Sequence, residues 1–167
     1  MPMSDYVRGL RDRIGNDVLE VPTVSVIVFD ERDRILLVRH VEGNVWTTPG
    51  GMIEPYELPA DAAVREAWEE TGLVVELKSI VGVFGGPACA GVYANGDKVS
   101  FVSTVFVATV AGGTLRPDGV ETLETRYFSR ADLDNARVRP HVMLSLNAAW
   151  ARGPDAHFER PTWRPPA

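Results

Sequence analysis

The sequence holds one cysteine, Cys89, so no intramolecular disulfide can staple the chain. A reducing, cytoplasmic setting is the expectation. Basic residues are also scarce, with 17 Lys and Arg against 23 Asp and Glu and a formal net charge of −6. That balance argues against a surface that grips nucleic acid through clustered cations. An acidic protein can still take a phosphorylated small molecule if metal ions bridge the two. No apolar run approaches the length of a membrane span, and the opening stretch MPMSDYVRGLRDR lacks an apolar core of signal-peptide length. Internal repeats and low-complexity tracts are missing as well. Only the tail RPTWRPPA is proline-rich, and it is expected to be extended.

What remains is a chain of 167 residues, 45% hydrophobic and 24% charged, which suits one domain with a real core. The periodicity divides it into an amphipathic helix (residues 1–16), a main domain (17–153) and the extended tail (154–167). In the first part Tyr6, Val7, Leu10 and Ile14 recur at helical spacing, with Ser4 or Asp5 as cap and Gly15 as stop. This stripe packs on its own domain or across a homodimer interface. TVSVIVF (23–29) and RILLVRH (34–40) read as strands that pair as a hairpin across the polar turn between them. WTTP (46–49) reads as a short strand, Val74 to Phe84 as one long strand or two bent ones, and Val99 to Val110 as a strongly β-forming run. Between the last two, GGPACAGVYANGD (85–97) reads as a mobile loop closed by an Asn95-Gly96 turn. Pro140 to Trp150 reads as a closing helix with Val142, Leu146 and Trp150 on one stripe.

The unusual stretch is GMIEPYELPADAAVREAWEETGL, Gly51 to Leu73. Pro59 suits the first turn of a helix, and Gly72 suits its C-terminal stop. On that helix Glu66, Glu69 and Glu70, spaced i, i+3, i+4, share one face, where like charges repel by a few tenths of a kcal/mol per pair. Glutamate-rich faces are usually solvated surface. A hard divalent cation would turn the repulsion into ligation, since Mg²⁺ prefers carboxylate oxygens together with substrate phosphates.

Read in full, the stretch resembles the Nudix box, G-x5-E-x7-R-E-U-x-E-E-x-G-U with U a bulky aliphatic. Gly51, Glu57, Arg65, Glu66, Glu69, Glu70, Gly72 and Leu73 occupy its eight fixed positions. Ala67 stands where the family usually has Ile, Leu or Val, which removes core volume beneath the helix and touches no charge. The resemblance implies the Nudix fold, an α/β/α sandwich around a mixed β-sheet. It also implies hydrolysis of a pyrophosphate bond in a small nucleotide, with Mg²⁺ as cofactor and Mn²⁺ as the alternative ion.

By that resemblance Glu66, Glu69 and Glu70 are catalytic and bind metal, and the Gly50 carbonyl joins them as a ligand. Glu57 and Arg65 pair structurally, bracing the loop and leaving the other glutamates free, with Gly51 and Gly72 as supports. For substrate binding the candidates are Arg39, whose guanidinium offers a planar fork to phosphate, Tyr93, and Glu121 or Glu124 just before Tyr127-Phe128. His40 reads as an ordinary surface or hydrogen-bonded histidine, and Trp46 as packing. The lead substrate is a nucleoside diphosphate linked to another moiety, of ADP-ribose or nucleotide-sugar type. The alternatives are a nucleoside triphosphate and, in another class, a nucleotide sensor that does not cleave.

Overall fold

The computed structural model describes residues 4–164. The elements run α1 (Asp5–Ile14), β1 (Leu19–Val28), β2 (Ile35–His40), β3 (Val45–Thr47), α2 (Pro59–Thr71), β4 (Leu73–Phe84), β5 (Ala90–Val92), β6 (Lys98–Gly113), β7 (Thr122–Phe128), α3 (Arg130–Leu133) and α4 (Pro140–Ala151). One sheet has the order β1-β6-β4, with β5 also paired to β6; the other has the order β3-β2-β7. β1 lies parallel to β6, and the remaining pairs are antiparallel, so the pairing is mixed.

Strand alternation explains how two helices are held on opposite faces. On β1, Val24, Val26 and Val28 point toward Ala62, Ala63 and Ala67 of α2, whereas Ile27 points toward Val142 and Leu146 of α4. On β2, Leu36 belongs to the α2 side, and Ile35 and Leu37 to the α4 side. This is the expected α/β/α sandwich. The alanine face lets α2 lie close to the sheet, and Ala67 is fully buried among β-branched neighbours, so its small side chain is matched by close approach.

Two expectations are corrected. β1 and β2 do not form a hairpin: they meet only at a bridge between Phe29 and Ile35 before diverging into different sheets. The partner of β1 is β6, far along the chain, and a local turn carries no information about it. The stretch from Gly85 to Asp97 is also more ordered than a loop. A single 3-10 turn (Pro87–Cys89) leads into β5, which pairs with the start of β6 and closes through Tyr93 N–H to the Asp97 carbonyl at 2.9 Å.

The amphipathic helix α1 is capped by the Ser4 hydroxyl, which accepts from the Val7 N–H at 3.3 Å. It docks on the β5-β6 turn through Arg11, which donates to the Lys98 carbonyl at 2.8 Å and faces Asp97 at 3.6 Å. At the other end the extended tail lies along β4: the His157 N–H donates to the Val81 carbonyl at 2.7 Å, and its ring stacks on Phe84. Trp46 packs edge-on against Phe128, with centroids 4.7 Å apart. Among the described residues no helix is long and apolar enough to cross a membrane.

Candidate active site

α2 begins at Pro59 and ends at Thr71, and Gly72, with a φ of 69° and its N–H donated to the Trp68 carbonyl at 2.8 Å, forms a left-handed cap. Its charged face turns toward the segment that follows β3. Gly50 donates its N–H to Glu70 Oε2 at 3.0 Å. A Cβ at Gly50, whose φ is +152°, would overlap the Val24 carbonyl oxygen. One at Gly51 would collide with the Glu66 carboxylate. The two glycines therefore let the backbone come against both carboxylates.

Glu66 and Glu70 are 5% and 4% exposed, which is rare for glutamate. Burial pushes the Glu70 carboxyl up to about 8, against the opposing pull of the Gly50 N–H. Burial also raises Glu66, partly offset by Arg65. Arg65 is the organising cation. It clasps both oxygens of Glu57, at 2.7 and 2.9 Å, and donates to the Met52 carbonyl at 3.1 Å. Arg65 holds Glu57 below the usual carboxylate range. The brace between Glu57 and Arg65 is as expected, but Arg65 does not leave the other glutamates alone: its Nη1 also reaches Glu66 Oε1 at 2.8 Å and Glu69 Oε2 at 3.1 Å. A five-donor guanidinium can serve several carboxylates at once.

Above the helix lies a cavity of about 490 Å³, lined among others by Gly50, Gly51, Glu66, Glu70, Tyr93 and Glu121. Asp118 shapes the turn that presents Glu121 by accepting the N–H groups of Val120, Glu121 and Thr122. Donor atoms of His40, Glu70 and Glu121 lie within 4.8 Å of one another. His40 thus sits beside the carboxylates. Its Nδ1 accepts the Glu42 N–H at 3.1 Å, and burial, followed by the nearby Arg139, holds its pKa below the ordinary value.

Arg39 and Glu124 are placed apart from the other candidates. They face each other across β2 and β7, 3.2 Å apart, with Arg39 also donating to Asn44 at 3.0 Å, and neither lines the cavity. Neighbouring strand residues point to opposite faces, so turning His40 inward turns Arg39 outward. Arg139, His141 and Thr48 were not singled out in the sequence, yet all three line the cavity. Arg139 precedes Pro140 at the first turn of α4, a signal that places it at a helix start and says nothing of which sheet end that start faces.

The site is thus a buried carboxylate face on a glycine-cradled helix, opening into a cleft of an α/β/α sandwich. Residues 19–146 match the model of the NUDIX domain. The chain belongs to the NUDIX domain family, the family of Nudix hydrolases. It is 34% identical over 136 residues to an ADP-ribose pyrophosphatase of Methanocaldococcus jannaschii, covering 79% of this chain and 76% of that protein. It is 35% identical over 104 residues to a putative 8-oxo-dGTP diphosphatase of Bacillus subtilis, covering 62% of this chain and 63%, under two thirds, of that protein. A solved NUDIX hydrolase from Nitrosomonas europaea superposes with a TM-score of 0.66 at 21% identity, over 80% of this chain and 90% of that one, and speaks for the fold.

Proposed function

We propose that the protein is a divalent-metal-dependent pyrophosphohydrolase acting on a nucleoside diphosphate linked to a further moiety, of ADP-ribose or nucleotide-sugar type. The observation that carries this reading is the pair of buried carboxylates, Glu66 and Glu70, at the floor of a cavity roomy enough for a nucleotide. The donor set fits Mg²⁺, with Mn²⁺ as the alternative. By the family resemblance it consists of the hard carboxylate oxygens of Glu66, Glu69 and Glu70 with the Gly50 carbonyl; as folded here Glu69 is turned to Arg65 and stands off the cavity, while Glu70 gathers with His40 and Glu121, and burial holds Glu70 protonated until a cation compensates it. Such an ion, when bound, neutralises diphosphate charge and lowers the pKa of its water.

Within this reading the residues of the chain divide the work. Arg65 fixes Glu66 and Glu69 in rotamer while Glu57 anchors Arg65. Glu66, seated on Gly51, orients or deprotonates the attacking water. Glu121 stands beside Glu70 and Tyr93 lines the same cavity, where both would meet the substrate.

Similarity to the protein named ADP-ribose pyrophosphatase supports the diphosphate-linked substrate. Similarity to the putative 8-oxo-dGTP diphosphatase supports a second reading, a nucleoside triphosphate pyrophosphohydrolase. Product analysis on a nucleotide panel with Mg²⁺ and Mn²⁺ separates them. Nucleoside monophosphate from diphosphate-linked substrates is expected; pyrophosphate released from triphosphates would favour the second reading. Tight binding with no product would overturn both in favour of a sensor.

A further inference from the structure

Most arginines whose side chains are described have a visible partner. Arg11, Arg34, Arg39, Arg65 and Arg152 are ion-paired, and Arg126 and Arg130 lie over aromatic rings. Arg139 differs. It is half-buried, and its Nε is shielded from solvent without an acceptor, as is that of Arg39, whose other two nitrogens meet Glu124 and Asn44. Among the described residues no carboxylate pairs with it, although Glu42 lines the same wall. Leaving one guanidinium N–H shielded and unmatched is costly, and the two terminal nitrogens, which have no carboxylate partner among the described residues, are open to an anion from outside the chain.

The position says which anion. Arg139 lines both the main cavity and a smaller adjoining one of about 280 Å³, so it stands where the two meet. The other arginine on the main cavity, Arg11, is committed to Asp97 and backbone carbonyls. Arg139 acts electrostatically on His40, whose ring belongs to the cluster with Glu70 and Glu121, and on His141 and Tyr93. Thr48, 3% exposed, adds a second orphan to the same cavity, its hydroxyl having no partner.

We propose that Arg139 is a phosphate-binding residue of this cavity, its fork taking the oxygens of the substrate's diphosphate on the side away from α2, with the Thr48 hydroxyl as a neutral donor. The proposal rests on the pyrophosphohydrolase reading only for the source of the phosphate. Guanidinium geometry suits phosphate bidentately, whereas a lysine there would offer only a point charge.

The test uses methylenediphosphonate, a diphosphate mimic that cannot be hydrolysed, titrated calorimetrically in the presence of Mg²⁺. The full chain is compared with Arg139→Met and Arg139→Lys, each checked by thermal melting. Arg139→Met is expected to weaken binding at least tenfold and Arg139→Lys by a smaller factor. A wild-type protein that does not bind the probe would overturn the proposal, as would an Arg139→Met protein that binds it as wild type does. If Arg139→Met does not fold, Arg139→Lys decides: wild-type affinity there removes the fork from the argument. Arg139-dependent binding in a protein that turns over no diphosphate ester would instead sink the proposed reaction and leave the phosphate site standing.

Discussion

Arg65 meets Glu57 with two parallel hydrogen bonds, Nε to Oε1 at 2.7 Å and Nη2 to Oε2 at 2.9 Å. This clasp ties the loop before α2 to the helix, and the free end of the same fork steadies Glu66 and Glu69. Lysine cannot reproduce it. Arg65→Lys is expected to lose about 2 to 4 kcal/mol of stability at pH 7, read by urea unfolding. The sign with pH follows from Glu57, whose folded pKa lies below its unfolded value. Its contribution is present above the unfolded carboxylate range and is lost as pH falls through the folded pKa. The wild-type protein should therefore lose stability on acidification more steeply than Arg65→Lys. Identical acid limbs would mean that the clasp does not couple to folding.

Neighbouring glycines should respond to alanine in different ways. At Gly50 the added methyl meets backbone, the Val24 carbonyl and Ser25, in a φ region that L-residues rarely adopt. At Gly51 its three nearest neighbours are the two oxygens and the carbon of the Glu66 carboxylate, all closer than contact allows. Gly50→Ala should cost roughly 3 kcal/mol or more in stability. Gly51→Ala should keep much of its melting temperature while turnover falls on the order of a hundredfold, because displacing a catalytic group by about 1 Å is enough for that. Melting curves and turnover measured on both variants check the pair. A Gly51→Ala protein as active as wild type would remove Glu66 from the chemistry.

Glu70 makes a prediction that does not need a substrate. Its folded pKa of about 8 lies above its unfolded value, so the folded protein holds a proton that the unfolded chain releases. Stability from this group is full at low pH and falls as pH rises from the ordinary carboxylate range toward 8. In chelated buffer, Glu70→Gln should flatten the decline in melting temperature between about pH 5 and 8 and be the more stable protein at pH 8. It should also lose much of the melting shift that Mg²⁺ gives wild type, and turnover should drop by orders of magnitude. A Glu70→Gln protein with unchanged turnover would refute the site assignment.

How far the sequence could be read is clearest at Arg39. The box was legible because its logic is local: spacing along one helix puts Glu66, Glu69 and Glu70 on one face, and Pro59 and Gly72 mark its ends. The brace by Arg65 follows from the same short range. The rest of the cavity lining was not legible, since His40, Tyr93, Glu121 and Arg139 are brought to the box by pairing between distant strands. Alternation turns Arg39 and His40 to opposite faces at the end of β2, and no composition rule predicts which of two adjacent polar residues turns inward. Arg39→Ala should consequently change turnover and KM by no more than about twofold, a surface ion pair being worth at most about 1 kcal/mol. A tenfold loss in kcat/KM would return Arg39 to the site.

Arg11 links the N-terminal helix to the cavity. Its guanidinium reaches the Gly15, Asp17 and Lys98 carbonyls at 3.2, 2.7 and 2.8 Å and faces Asp97, both side chains being about nine-tenths buried. Ser4 and Val7 of the same segment line the cavity, as do Tyr93 and Asn95 of the turn that Arg11 grips. Removing the guanidinium leaves Asp97 buried without its cation and frees two walls together. Arg11→Ala should then cost about 2 to 4 kcal/mol locally. That loss should appear as faster hydrogen exchange in residues 5–14 and 93–98 and not in α2, because the bonds of Arg11 run to Gly15, Asp17, Asp97 and Lys98 and none of them to α2. In kinetics the loss should fall on KM more than on kcat, since on the proposed function these walls meet substrate while the α2 carboxylates stay in place. If exchange rises uniformly through α2, Arg11 supports the whole fold. If exchange rises only in α1 and the turn while KM stays at the wild-type value, the helix is packing alone and the substrate does not reach it.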